Sequence, residues 1–106
     1  MSGSRTITRD EDRLDNVHPG SILREDFLIG SDIPTDEVAA GAGIARDRLG
    51  AILDEKAPVD ANIDIRLARY FGVTEGFFLG LQIDFDLEEE RRAHGEELDR
   101  IARRAA

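Results

Sequence analysis

Ile33-Pro34-Thr35-Asp36-Glu37-Val38-Ala39-Ala40, Gly41-Ala42-Gly43-Ile44 and Ala45-Arg46-Asp47-Arg48-Leu49-Gly50-Ala51-Ile52-Leu53 follow one another in the middle of the chain, and their reading decides the fold. Two short helical patterns flank a glycine turn. Val38, Ala39 and Ala42 give the first pattern an apolar face, and Leu49, Ile52 and Leu53 give one to the second. A short helix, a Gly at the turn and a second helix with polar side chains near its start form a helix-turn-helix arrangement. That geometry can lay the second helix in a DNA major groove while the first crosses the backbone. An ordinary helical hairpin shares the same local pattern.

Helical periodicity continues on both sides of this stretch. Pro19 suits the first turn of a helix, where a missing N–H costs nothing. Ile22, Leu23 and Phe27 would bury one face of a helix over 19–29, ended by Gly30-Ser31-Asp32. Asp60 is placed to N-cap a helix over 61–71, with Ile63, Leu67, Ala68 and Phe71 inward and Gly72 closing it. Thr74 would cap a last helix over 75–92 that buries Phe77, Phe78 and Leu81. With the motif helices at 35–42 and 45–53, the expectation is an all-α domain of five or six helices. Its core would hold Ile22, Phe27, Val38, Leu49, Ile52, Leu67, Phe71, Phe77 and Leu81.

Residues 1–16 carry only Ile7 and Leu14 as sizeable apolar groups and read as a flexible arm; residues 17–92 form the domain. Residues 93–106 form a charged helical extension. Glu88 can pair with Arg92, and Glu96 with Arg100, at i,i+4 spacing. Gly95 weakens that helix, which either frays beyond this point or docks on a partner. At 106 residues the chain suffices for one modest core. Without Cys there is no disulfide framework and no thiolate metal site, which suits a reducing cytoplasm. No apolar run is long enough to span a bilayer, and the polar N-terminus is not a secretory signal.

Chemistry-bearing constellations are sparse, so no enzyme is expected. His18 and His94 are the only histidines, and neither stands in a nucleophile–base pattern. His18 reads as a residue that caps or packs the first helix. Asp54-Glu55 and Glu88-Glu89-Glu90 lack partner ligands for a metal, and Gly41-Ala42-Gly43 lacks the Lys-Ser or Lys-Thr of a phosphate loop. No cofactor or metal is implied. Arg46, Asp47 and Arg48 fall where side chains of a recognition helix reach base edges. Either arginine could pair bidentately with guanine, and Asp47 could accept from cytosine but would repel phosphate. A salt-bridged solvent face accounts for the same three residues. Lys56, after the helix, suits a backbone contact.

Around the motif stand His18-Pro19-Gly20-Ser21-Ile22-Leu23-Arg24-Glu25-Asp26-Phe27-Leu28 upstream and Ile65-Arg66-Leu67-Ala68-Arg69-Tyr70-Phe71-Gly72-Val73-Thr74-Glu75 downstream, then Phe77-Phe78-Leu79-Gly80-Leu81-Gln82 and Phe85-Asp86-Leu87. Over residues 17–90 these blocks resemble the HigA/VapI-type antitoxins, a branch of the Xre-like, lambda-repressor-like helix-turn-helix family. The resemblance implies a cytoplasmic homodimer that neutralises a basic, HigB-like ribosome-dependent endoribonuclease and represses its own operon on double-stranded DNA. By that resemblance Thr35, Arg46, Asp47, Arg48 and Lys56 are the DNA-binding positions. The chain departs from the family pattern where DNA would be met: Thr35 replaces a common Gln, Ala45 the capping Ser and Gly50 a Ser of the recognition helix. Asp54-Glu55-Lys56-Ala57 replaces Asn-Gly-Lys-Arg. Each change removes a phosphate contact, a donor or rigidity, so weakened operator binding is the expectation. A stand-alone regulator without a toxin, or a domain kept only for protein interaction, would share this scaffold.

Net charge bears on the same question. The chain carries −9, and residues 34–60 set Arg46, Arg48 and Lys56 against Asp36, Glu37, Asp47, Asp54, Glu55 and Asp60. A DNA binder gains affinity by neutralising phosphates and usually shows a basic stripe. An acidic surface suits a basic protein partner instead, through steered association.

Overall fold

The first helix is only briefly an α-helix. The computed structural model describes residues 15–105, so most of the expected N-terminal arm and the last residue of the expected extension lie outside the described residues. Helix α1 spans Pro19–Ile22 and passes directly into a π-helical segment, Leu23–Ile29, where the Gly30 N–H donates to the Glu25 carbonyl five residues back. Leu23 and Leu28, five apart, both enter the core, as the wider π turn allows. The expectation of Ile22 in the core is thereby corrected: it is half-buried, and Leu23 takes its place. Helix α2 is Thr35–Ala42, α3 is Arg46–Leu53, α4 is Ala61–Phe71 and α5 is Phe77–Asp99. No strand occurs among the described residues. The fold is all-α, with five α-helices among the described residues.

The π segment and helices α2 to α5 each send a fully buried side chain inward: Leu23, Val38, Leu49, Ile52, Leu67 and Phe78 are 0% exposed. Burying a side chain of this size stabilises by about 1.5–3 kcal/mol. Phe27, Phe71 and Leu81 pack partly buried against this core. The Phe27 ring meets Phe71 edge-on at 5.0 Å and Phe78 at 5.1 Å, which fastens the π segment to α4 and α5. Phe77, expected inside, is 42% exposed. It occupies the first position of α5, one residue before Phe78, and a helix turns neighbouring side chains about 100° apart.

Helix caps fix the remaining geometry. The ends of α2 and α4 follow the expected pattern: Gly43 and Gly72 adopt left-handed conformations at φ 68° and 75°, each donating to a carbonyl of the last turn. Asp60 caps α4, its Oδ1 accepting from the Ile63 N–H at 2.9 Å. The start of α5 differs from expectation. Thr74 is not the cap and the helix begins at 77, because Asp64, buried on α4, supplies the acceptors. Its Oδ2 accepts from Gly76 N–H at 2.6 Å and its Oδ1 from Leu79 N–H at 2.9 Å. The carboxylate thus meets both the unpaired donors and the positive end of the helix dipole. Helix α5 also runs past the expected end at 92, to Asp99, with a non-helical residue, His94, beside Gly95. Glu88 pairs with Arg92 at 2.9 Å, whereas Arg100 forms the C-cap and makes no ion pair with Glu96.

The His18-Pro19-Gly20 block joins α1 to α3 and α5. His18 Nδ1 accepts the Gly20 N–H at 2.9 Å, and the ring stacks edge-on against Phe85 at 4.9 Å. At Gly20 the backbone lies against Ile52: a Cβ there would stand 1.8 Å from the Ile52 carbonyl oxygen. Asn16 Nδ2, at the end of the expected arm, donates to the Phe85 carbonyl at 2.8 Å and to Glu89 at 3.1 Å. Val59 N–H donates to the buried Gln82 Oε1 at 2.8 Å, which ties the α3–α4 connection to α5.

Two outcomes follow for stability. Phe78→Ala should cost about 3–5 kcal/mol, and Phe77→Ala clearly less, in urea unfolding at neutral pH. Burial pushes the His18 imidazole below its ordinary value of 6.5, against the opposing pull of the Glu55 and Asp86 carboxylates. A depressed folded pKa means that the unfolded chain takes up a proton the folded one refuses. His18 therefore contributes stability that is complete above pH 6.5 and lost as the pH falls through the lower folded value. His18→Asn keeps a capping acceptor without a titrating group, so the difference between wild type and this variant should shrink as the pH is lowered from 8 to 5.

Candidate nucleic-acid interface

Helices α2 and α3 are set by their turn. Gly43 reverses the chain, and the Ile44 N–H donates to the Ala39 carbonyl at 2.9 Å. Ala45 takes the N-cap position of α3 and offers no side-chain acceptor. The first turn of α3 therefore leaves its N–H groups to other partners. One is met by Asp47, whose Oδ1 accepts from the Arg48 N–H at 2.9 Å.

Arg46, Asp47 and Arg48 are exposed along this turn. Thr35, half-buried at the start of α2, lines a cleft of about 500 Å³ together with Arg46, Gly50, Arg24 and Asp54. Asp47 and Arg48 line an adjacent groove with the Gly43–Ala45 turn, Asn62 and Arg66. Lys56 lines neither; it lies beyond the end of α3, beside Glu55, His18 and Asp86. Four of the five sequence-derived positions thus gather around the start of α3, and the fifth stands apart.

Both arginines are already paired. Arg46 Nε meets Asp36 Oδ1, from α2, at 2.5 Å, and Arg48 Nη2 meets Asp60 Oδ2, from the α4 cap, at 3.0 Å. The Ile63 N–H, and next the Arg48 guanidinium, hold the Asp60 carboxyl below its ordinary range. Lys56 makes no ion pair among the described residues. Gly50 gives Arg46 room, since a Cβ there would stand 3.0 Å from its Nη1.

Three polar residues near the interface escaped the sequence reading. Arg66 Nη1 donates to the Ala42 and Gly43 carbonyls at 3.3 Å each and Nε to Asn62 Oδ1 at 2.9 Å, so it closes the end of α2. Arg24 donates to the Leu53 carbonyl at the end of α3 and reaches Glu55 at 3.4 Å. Cations at helix C-termini are favoured by the dipole. The i,i+4 spacing of Asn62 and Arg66 was the one signal in the sequence; the reach of Arg24 had none.

The chain is 32% identical over 85 residues to YbaQ, an HTH-type transcriptional regulator of Escherichia coli K12, covering 78% of this chain and 75% of that one. Antitoxin GraA, solved in complex with its operator, superposes with a TM-score of 0.79 at 33% identity, covering 88% of this chain and 95% of GraA. This chain belongs to the HigA-type antitoxin family. Pseudomonas aeruginosa HigA, solved with the higBA promoter, superposes with a TM-score of 0.79 at 28% identity over 87% of this chain and all of HigA. No protein-family profile matches the chain. Among the described residues no helix is long and apolar enough to cross a membrane. In this chain the second motif helix starts without a side-chain cap, and Arg46 and Arg48 on its first turn are each paired with an aspartate.

Proposed function

We propose that this chain neutralises a basic, HigB-like endoribonuclease toxin by direct contact, and represses its own operon as a homodimer that inserts α3 into operator DNA. The observation that carries the DNA half is the placement of Arg46 and Arg48 on the exposed first turn of α3. The likeness to GraA and HigA, each solved with its own regulatory DNA, extends over the whole scaffold that carries those residues. Thr35 at the start of α2 lies beside the phosphates in this reading, and Lys56 makes a separate backbone contact. Asp47 either accepts from a cytosine or repels phosphate. The net charge of −9 supports the toxin half, because a basic partner is drawn to such a surface from a distance. Exposed Ile83 and Leu87, one helical turn apart on α5, support a two-fold contact between copies.

The likeness to YbaQ favours one second reading, a stand-alone regulator with no toxin. Co-expression with the product of the adjacent short gene, followed by pull-down and a growth-rescue assay, separates the two.

Two outcomes are expected. Association with the basic partner should slow clearly between low and physiological salt, as screening shortens the reach of the acidic surface. A flat salt dependence of the on-rate removes the steering, and failure to rescue toxin-expressing cells removes the antitoxin role. In a fluorescence-anisotropy titration against the promoter upstream of the gene, Arg46→Ala or Arg48→Ala should each cost about 1–3 kcal/mol, the worth of a good bidentate base contact. Nanomolar affinity that survives loss of both arginines contradicts the assignment of α3.

A further inference from the structure

The two ion pairs on the recognition helix have a consequence of their own, which rests on the DNA reading above. Arg46 and Arg48 both belong to α3, yet neither is paired within it. Asp36 comes from α2 and Asp60 from the start of α4, so the carboxylates stand on either side of the recognition turn. The two are built differently. Asp60 is fixed by the backbone: Oδ1 is committed to the Ile63 N–H and Oδ2 remains for Arg48. Asp36 is 85% exposed at its side chain, and Arg46 reaches it across the opening above Gly50.

We infer that Asp36 and Asp60 are specificity-setting residues, which occupy Arg46 and Arg48 and yield them to a matching base but not to phosphate alone. A phosphate oxygen offers an arginine one more anion in place of the carboxylate it already holds, and the aspartate thus freed then faces the polyanion. On non-specific DNA the arginines stay with their aspartates and few counterions are released. A guanine edge offers two acceptors in the plane of the guanidinium without a negative charge. Exchange is favourable there, so the carboxylates suppress the background more than they weaken the operator complex. The local excess of acidic residues then serves discrimination between DNA sequences as well as attraction of a protein.

The test compares the full chain with Asp36→Asn, Asp60→Asn and the double variant, on the upstream promoter duplex and on a scrambled duplex of equal length, across a salt series. Asn caps helices about as well as Asp, so Asp60→Asn keeps α4, which circular dichroism checks. Glu37→Gln is the control for charge alone, since Glu37 is exposed on the same turn of α2 and makes no ion pair among the described residues. Each aspartate substitution should raise affinity for the scrambled duplex about two- to fivefold, the fold-change that matches an exposed ion pair. It should also steepen the dependence of log affinity on log salt by about one per freed arginine, and lower the promoter-to-scrambled ratio. Glu37→Gln should do less, and the Asp36→Asn effect should vanish in an Arg46→Ala background. Equal effects of Asp36→Asn and Glu37→Gln, or persistence without Arg46, overturn the inference while leaving operator binding intact. No promoter preference in the wild type overturns the operator reading and, with no matching base to yield the arginines to, the specificity role of Asp36 and Asp60 as well. No DNA binding by any form overturns both.

Discussion

The seating of α3 against α1 depends on one close approach, that of Gly20 to the Ile52 carbonyl. Any side chain at position 20 would drive a carbon to within 1.8 Å of that oxygen, so α1 and α3 can meet only at a glycine. The two residues before it serve the same junction. Pro19 begins the helix without an N–H to satisfy, and His18 accepts the Gly20 N–H while its ring rests on Phe85 of α5. Three consecutive residues thereby bring α1, α3 and α5 together. Leu23 and Ile52, fully buried, fill the space on either side. The π-helical segment follows directly and carries Phe27 and Leu28 to the same core, the five-residue step from Leu23 to Leu28 being one a regular α-helix would not give.

On that frame the electrostatics are unusual for a helix-turn-helix. Cations near the motif are largely committed: Arg66 and Arg24 close the ends of α2 and α3, and Arg46 and Arg48 are held by aspartates. Exposed ion pairs contribute at most about 1 kcal/mol each, so none of these pairings on the recognition face is beyond displacement. Their combined effect on a polyanion is nevertheless one-sided, because every arginine taken up by DNA leaves a carboxylate behind. A basic protein meets no such penalty. Under the proposed function, the same surface separates two classes of partner by charge while keeping two arginines in place for a base edge.

Much of the fold could be read from the residues. The spans of α2 and α4 follow from apolar spacing together with Asp60, Gly43 and Gly72, each a local signal acting on its own neighbours. The parts that escaped depend on partners distant in sequence. Nothing near Thr74 reveals that Asp64, ten residues earlier, caps α5, and without that knowledge Phe77 reads as a core residue. The π segment was present in the spacing of Leu23 and Leu28, but its ring of five is rare enough that a regular helix is the default. At the interface, the charged residues were legible as types and positions, and their pairing was not. Asp36 and Arg46 lie ten apart, and only the angle between α2 and α3 brings them together.

Under the proposed function the start of α3, and not the exposed face of α5, meets DNA. Chemical-shift mapping of the isotopically labelled chain during titration with the upstream promoter duplex tests this most directly. Shifts should concentrate at Thr35, Arg46, Asp47, Arg48 and the side chains of Asp36 and Asp60, with Ile83 and Leu87 unmoved. Shifts centred on Ile83 and Leu87, with Arg46 and Arg48 unperturbed, would contradict it.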